Sequence, residues 1–191
     1  MDGQQRHGRD QRSKGSQTKL GPEKTCDMEH GNTEPRIDMD AQPSPAALEG
    51  AKRLLEQGIG FVKNAGLVVE HLAPGHVRCR MPFKGNGNHI GTMYAGALFT
   101  LAEIPGGALF LSSFDTARFF PIVKALNLRF LKPATSDITV DAMLAADEIT
   151  RIQAEASQQG KAEFTLLLQM KDAQGTVVAS SDGLYQLRRI G

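Results

Sequence analysis

Residues 88–114 read NHIGTMYAGALFTLAEIPGGALFLSSF, and this stretch decides the fold. Between Ile90 and Phe114 there are 25 residues and one formal charge, Glu103. Ala95, Ala97, Leu98, Leu101 and Ala102 are good helix formers, and apolar residues fall on every side rather than along one stripe. Such a helix is surrounded either by protein or by lipid. No other segment of the chain could span a bilayer, and Pro105-Gly106-Gly107 interrupts the run. The sequence therefore predicts a central helix buried in protein, with Pro105 bending or ending it just beyond Glu103. Glu103 is the anomaly. An unpaired carboxylate on an enclosed helix is costly and its pKa should rise, so it is there either for chemistry or as half of a buried ion pair with a residue such as Lys124.

The flanks supply what the helix packs on. Upstream, Ser44-Pro45 offers a cap and first turn, and Leu48, Ala51, Leu54, Leu55 and Ile59 recur at helical spacing. Gly58 and Gly60 weaken the end of that helix, and Asn64-Ala65-Gly66 stops it. Residues 67–72 and 76–81, joined by Ala73-Pro74-Gly75, read as a hairpin: Val77, Cys79 and Met81 alternate with His76, Arg78 and Arg80. Residues 85–88 are a loop. Downstream, residues 121–131, 138–145, 162–170 and 176–187 read as strands, the last two joined by a turn at Asp172-Ala173-Gln174-Gly175. Residues 147–159 read as a short surface helix. The fold class is α+β: a curved sheet of about six mostly antiparallel strands wrapped around one helix.

The chain has 191 residues, 40% of them hydrophobic and 23% charged, with a net charge of +1. That balance excludes a wholly disordered protein and gives no charge-based reason to expect nucleic acid or an anionic membrane as partner. Residues 1–46 contain no Phe, Tyr, Trp or Val, so they are expected to form a disordered tail ahead of a domain over 47–191. The tail lacks the apolar run of a signal peptide, and its scattered acids argue against an organellar address. Cys26 and Cys79 form neither a disulfide framework nor a metal knuckle, which points to a reducing, cytoplasmic compartment. No metal-ligand spacing is present, and no resident cofactor is expected.

The run Asn88-x-x-Gly91-Thr92-Met93-Tyr94-Ala95-Gly96-Ala97-Leu98-x-x-Leu101-Ala102-Glu103, followed by a strand ending Phe130-x-Lys132-Pro133-Ala134, resembles the hotdog-fold acyl-CoA thioesterases. The match is nearest to the branch found as a stand-alone thioesterase domain and at the C-terminus of some acetyltransferases. It covers residues 47–190. The resemblance implies hydrolysis of an acyl-CoA or acyl-carrier thioester by a homodimer, sometimes a dimer of dimers, with coenzyme A entering as part of the substrate.

Thioester hydrolysis needs a carboxylate to activate water or attack the carbonyl, and donors for the developing oxyanion. Glu103 is the expected carboxylate. The resemblance places the donor eight residues earlier, at the backbone N–H of Ala95, where the free amides of the helix start meet its positive dipole end. It also assigns Asn88 to orient water or the carbonyl from the partner chain, although Asn between Gly87 and His89 is equally ordinary turn chemistry. Eight residues at roughly 1.5 Å each separate Ala95 from Glu103 by about 12 Å along the axis. One carbonyl needs both groups within about 3–4 Å, so if both act, the site is shared between two protomers.

Tyr94, Gly96, Val123 and Lys124 are the expected substrate-binding positions. Tyr94 stands where relatives often carry His, and it either lines the site or packs. Lys124 shares parity with Ile122, Leu126, Leu128 and Phe130, which leaves it as a site residue, a partner for Glu103 or an interface lysine. Hydroxyls that other branches carry four residues after the carboxylate and on the next strand are replaced by Gly107 and Val123. Met93, Leu98 and Phe99, with Phe119, Phe120 or Phe130, are expected around the acyl group, and Lys84, Arg118, Arg129 and Lys132 are available for phosphates. A loop histidine such as His89 is more simply exposed than a base. The competing expectation is a catalytically silent hotdog dimer that binds an acyl or aromatic ligand, which the missing hydroxyls favour.

Overall fold

The computed structural model describes residues 43–191. The tail expected over residues 1–46 therefore lies outside the described residues, apart from its last four positions, where the first helix already begins. In α1 (Pro45–Gln57), Ser44 Oγ accepts from the Ala47 N–H at 3.2 Å and Pro45 fills the first turn, as the sequence predicts. The single helix expected here is two. A Cβ on Gly58 would stand 2.5 Å from the Leu54 carbonyl oxygen, Ile59 is extended, and a second helix, α2 (Gly60–Ala65), follows until Gly66 turns left-handed at φ 69°.

β1 (Val68–Ala73) and β2 (His76–Met81) form the expected hairpin. β3 (Phe119–Phe130), β4 (Ile138–Met143), β5 (Lys161–Lys171) and β6 (Val177–Arg189) complete one sheet in the order β1-β2-β4-β5-β6-β3, with every neighbouring pair antiparallel. One face of it is dry. In β5, Ala162, Phe164, Leu166, Leu168 and Met170 are buried while every alternate residue is exposed. α4 (Ala146–Gln159) buries Ile152 and Ala156 against β5 and β6.

The apolar run becomes α3 (Ala95–Ser113), which crosses the dry face and meets all six strands. Twelve of its 19 residues are buried, and the other seven, among them Gly96, Phe99, Glu103, Gly107 and Leu111 at i, i+4 spacing, fall on one side that is itself largely apolar, so the sequence shows no amphipathic stripe. It is the one described helix long and apolar enough to cross a membrane, but 67% of that window is buried inside the domain. Pro105 does not end it. The proline removes a single hydrogen bond to Leu101, while the turns beyond it are held by Ala108, Leu109 and Phe110, all in the core. Gly106 is needed where α3 meets β6: a Cβ there would stand 2.1 Å from the ring of Tyr185, which is 1% exposed. Gly183 makes room for the same ring on its other side.

β3 departs from a simple alternation. Val123 pairs with Tyr185 and Ala125 with Leu184, so Lys124 is an extra residue, a β-bulge. Positions 119, 121 and 123 share the dry face before the bulge, and 126, 128 and 130 share it afterwards. The parity that groups Lys124 with Ile122 and Leu126 is broken at Lys124 itself.

Gly106→Ala is expected to destabilise the domain by about 1–3 kcal/mol through overpacking against Tyr185. Gly107→Ala, one residue on, adds a Cβ that meets nothing within 4 Å and gains helix propensity, so it should be neutral or stabilising by up to about 1 kcal/mol. Urea unfolding midpoints of the two variants check the contrast.

Candidate active site

The start of α3 is pinned from two sides. The Tyr94 N–H donates to the Asn86 carbonyl at 2.7 Å, and the Met93 N–H donates to the Ala134 carbonyl at 2.7 Å. Asn86 is itself fixed, because its Nδ2 donates to the carbonyls of Ala65 and Pro82 at 2.7 and 2.9 Å. The hydrogen bonds of α3 begin with the Ala97 N–H donating to the Tyr94 carbonyl at 3.0 Å, and no side chain caps the helix. Among the described residues, the N–H groups of Ala95 and Gly96 find no acceptor. Two free donors at the positive end of a 19-residue helix are suited to receive a developing negative oxygen.

Asn88 is committed to its own loop. Its Oδ1 accepts from the N–H groups of Ile90 and Thr92 at 3.0 and 3.1 Å, and its Nδ2 donates to Thr92 Oγ1 at 2.8 Å. One Nδ2 hydrogen remains free for a ligand. His89 beside it is exposed. Asn88, Thr92 and Ala95 line one cavity of about 390 Å³ together with Leu98, Phe130 and Lys132.

Glu103 opens into a different cavity, of about 400 Å³, between α2 and α3. Its walls are Ile59 just before α2, Phe61 and Val62 on it, and Gly96, Phe99 and Ile104 from α3, and Thr100 is the only other polar side chain. Burial raises the Glu103 pKa above the ordinary carboxylate range. Among the described residues no hydrogen bond or ion pair reaches its carboxylate. Beneath α3, burial first and the Glu103 charge second push the Tyr185 phenol upward; its hydroxyl donates to the Ala102 carbonyl at 3.5 Å.

The structure thus brings Asn88 together with Ala95 and separates both from Glu103. Tyr94 is 57% exposed and lays its ring over Gly96, where a Cβ would stand 2.4 Å from a ring carbon. Val123 is exposed on β3. Lys124 does not meet Glu103 within the chain. Its Nζ pairs with Glu163, which also accepts from Gln186 Nε2 at 2.9 Å, so it reaches the outer face of the sheet. Of the four basic residues available for phosphates, Lys132 lines the Ala95 cavity. Arg118 lies over the Phe119 ring and donates to Ser157, and Arg129 is on the outer face with Asp141 and Asp182. Met93, Leu98 and Phe119 are core residues, and of the expected acyl-pocket residues Phe99 alone reaches the Glu103 cavity. Ile59, Phe61, Val62 and Thr100 are lining residues that sequence reasoning missed; the apolar Ile59 and Phe61-Val62 directly after Gly58 were the available signal.

A curved antiparallel sheet enclosing a single apolar helix, with one acid midway along that helix, defines a hotdog domain of the thioesterase-like class. Residues 50–183 match the family described as "Domain of unknown function (DUF4442)", and the chain belongs to that family. A Pseudomonas aeruginosa protein of unknown function described as a "Probable Thioesterase" is 58% identical, over 78% of this chain and 99% of its own, with a TM-score of 0.74. A Chlorobaculum tepidum protein of unknown function (15% identity, 75% and 94% coverage, TM-score 0.66) shares the fold. So does a second Pseudomonas aeruginosa protein, solved as a mutant thioesterase (15% identity, 79% and 98% coverage, TM-score 0.59). No curated protein matches the chain.

The raised Glu103 pKa has a consequence for stability. Below the ordinary carboxylate pKa the acid is protonated in both folded and unfolded chains and costs nothing. Above the raised value the folded state carries the full desolvation penalty. Glu103→Gln is therefore expected to raise the melting temperature at neutral pH and to leave it nearly unchanged in acid, as followed by calorimetry across pH.

Proposed function

We propose that the protein hydrolyses acyl thioesters, with acyl-CoA esters as the substrate class, in a homodimer whose two sites each draw on both chains. The observation that carries this reading is the division of the machinery: Glu103, the one acid lining either cavity, faces one of them, and the free Ala95 amide with Asn88 faces the other, about 12 Å away along one helix. A second copy supplies the missing half of each site. β3 supports the same reading. It is a 12-residue edge strand with one side unpaired, and Val123 and Phe130 on it, with Tyr94 and Phe99 on and before α3, are exposed. A long apolar edge of this kind is normally covered.

In this reading Glu103 takes a proton from water as the water oxygen attacks the thioester carbonyl, and a carboxylate with a raised pKa is the better base. The carbonyl oxygen gains its charge against the Ala95 N–H of the partner. When the tetrahedral intermediate collapses, the C–S bond breaks, the acid is released, and the proton passes from Glu103 to the thiolate. Asn88 holds the loop that presents Ala95 and keeps one N–H for the substrate. Tyr94, Gly96 and Val123 border the substrate, while Lys124 is occupied by Glu163 and serves the sheet edge. No resident metal or cofactor enters, and Cys79, a buried free thiol, suits a reducing cytoplasm.

A ligand-binding dimer without turnover is the second reading, favoured by the absence of a hydroxyl at Gly107 and Val123. Thiol release from a panel of acyl-CoAs separates the two. Glu103→Gln is expected to lower kcat by about 10²–10⁴. Ala95→Pro removes the oxyanion N–H at a helix position where proline is tolerated, and Tyr94 already has the extended backbone (ψ 137°) that a following proline requires. It should cost about 10²–10³ in kcat with the fold intact. Wild-type protein that binds acyl-CoA and releases no thiol would establish the second reading.

A further inference from the structure

We infer, resting on the thioesterase reading, that the acyl group lies in the cavity between α2 and α3, that Phe61 is the wall limiting its length, and that the pantetheine arm leaves past Lys132. The chemistry of the two cavities assigns the ends of the substrate. The α2–α3 cavity offers Ile59, Phe61, Val62, Phe99 and Ile104, and beside Glu103 its only polar side chain is Thr100, whose hydroxyl already donates to the Gly96 carbonyl at 2.9 Å. A pantetheine arm placed there would find only the Gly96 N–H and the Glu103 carboxylate for the donors and acceptors of its two amides, whereas a hydrocarbon chain needs none. The Ala95 cavity has the opposite character: the free Ala95 N–H, Thr92, the spare Asn88 hydrogen and the Lys132 ammonium.

The shape of α2 makes Phe61 the adjustable part. This helix has six residues, ends at the left-handed Gly66, and is anchored by Val62, which is 2% exposed. Phe61 next to it is 60% exposed and projects over the cavity rim, so truncating it removes a wall and little of the core. About 400 Å³ lies at the small end of ligand sites, roughly 300–1,000 Å³, and matches a short or medium acyl group.

Calorimetric titration of the Glu103→Gln protein with straight-chain acyl-CoAs from acetyl to decanoyl tests this without turnover. Kd is expected to tighten about fourfold per added methylene (~0.8 kcal/mol each) until the cavity is full, then to level off. Adding Phe61→Ala should move that plateau to longer chains and Phe61→Trp to shorter ones, and Phe99→Ala should lengthen it from the opposite wall. A length profile identical in all four proteins, or no binding by any acyl-CoA, overturns the inference. Thiol release by the wild type is scored separately. Glu103-dependent hydrolysis with an unmoved length profile rejects the acyl cavity alone, while a shifted profile without hydrolysis retains the cavity and rejects catalysis.

Discussion

The structure depends on enclosing α3. A 19-residue helix that is apolar on every side has no stable place in water, and the rest of the domain is arranged to surround it. Six antiparallel strands turn their apolar alternation toward it, α1 and α2 flank it, and glycines stand where its backbone must approach a large ring. This enclosure lets Pro105 sit in mid-helix, since one lost hydrogen bond is small beside the burial of the turns that follow.

The same enclosure sets the electrostatics. Glu103 is carried into apolar surroundings by its position on the helix, and desolvation with no compensating cation keeps its proton affinity high. At the other end, the loop braced by Asn86 and Asn88 stops α3 at Tyr94 and leaves the first amides without acceptors. Both features oppose stability locally, and both are what hydrolysis of a thioester would use. The rigid helix that creates them also holds them too far apart to serve one carbonyl within one chain.

Much of the fold was legible in the sequence because it rests on short-range periods. The hairpin at residues 67–81, the strands of residues 162–187 and the enclosed helix follow from alternation, turn residues and composition. The edge strand was misread because a single inserted residue, Lys124, reverses the parity of everything after it, and a bulge leaves no local signature in PIVKALNLRF. The break between α1 and α2 falls at Ile59, whose backbone is extended (φ −105°, ψ 112°), and in sequence the two flanking glycines signal only a weakened helix end. At the site, Glu103 was conspicuous as a lone charge, and helical rise alone placed it far from Ala95. The cavity around it was hidden, since Ile59, Phe61 and Val62 lie some forty residues upstream and reach it through tertiary packing.

The claim that each site is assembled from two chains is tested most directly by subunit complementation. Glu103→Gln and Ala95→Pro proteins, each inactive alone, are mixed, dissociated and reassociated, and thiol release is measured. If the acid and the amide come from different chains, a mixed dimer regains one intact site, and random reassociation restores about a quarter of wild-type activity. If no activity returns although mixed dimers have formed, both groups act within a single chain or one of them does not act at all, and the account is contradicted.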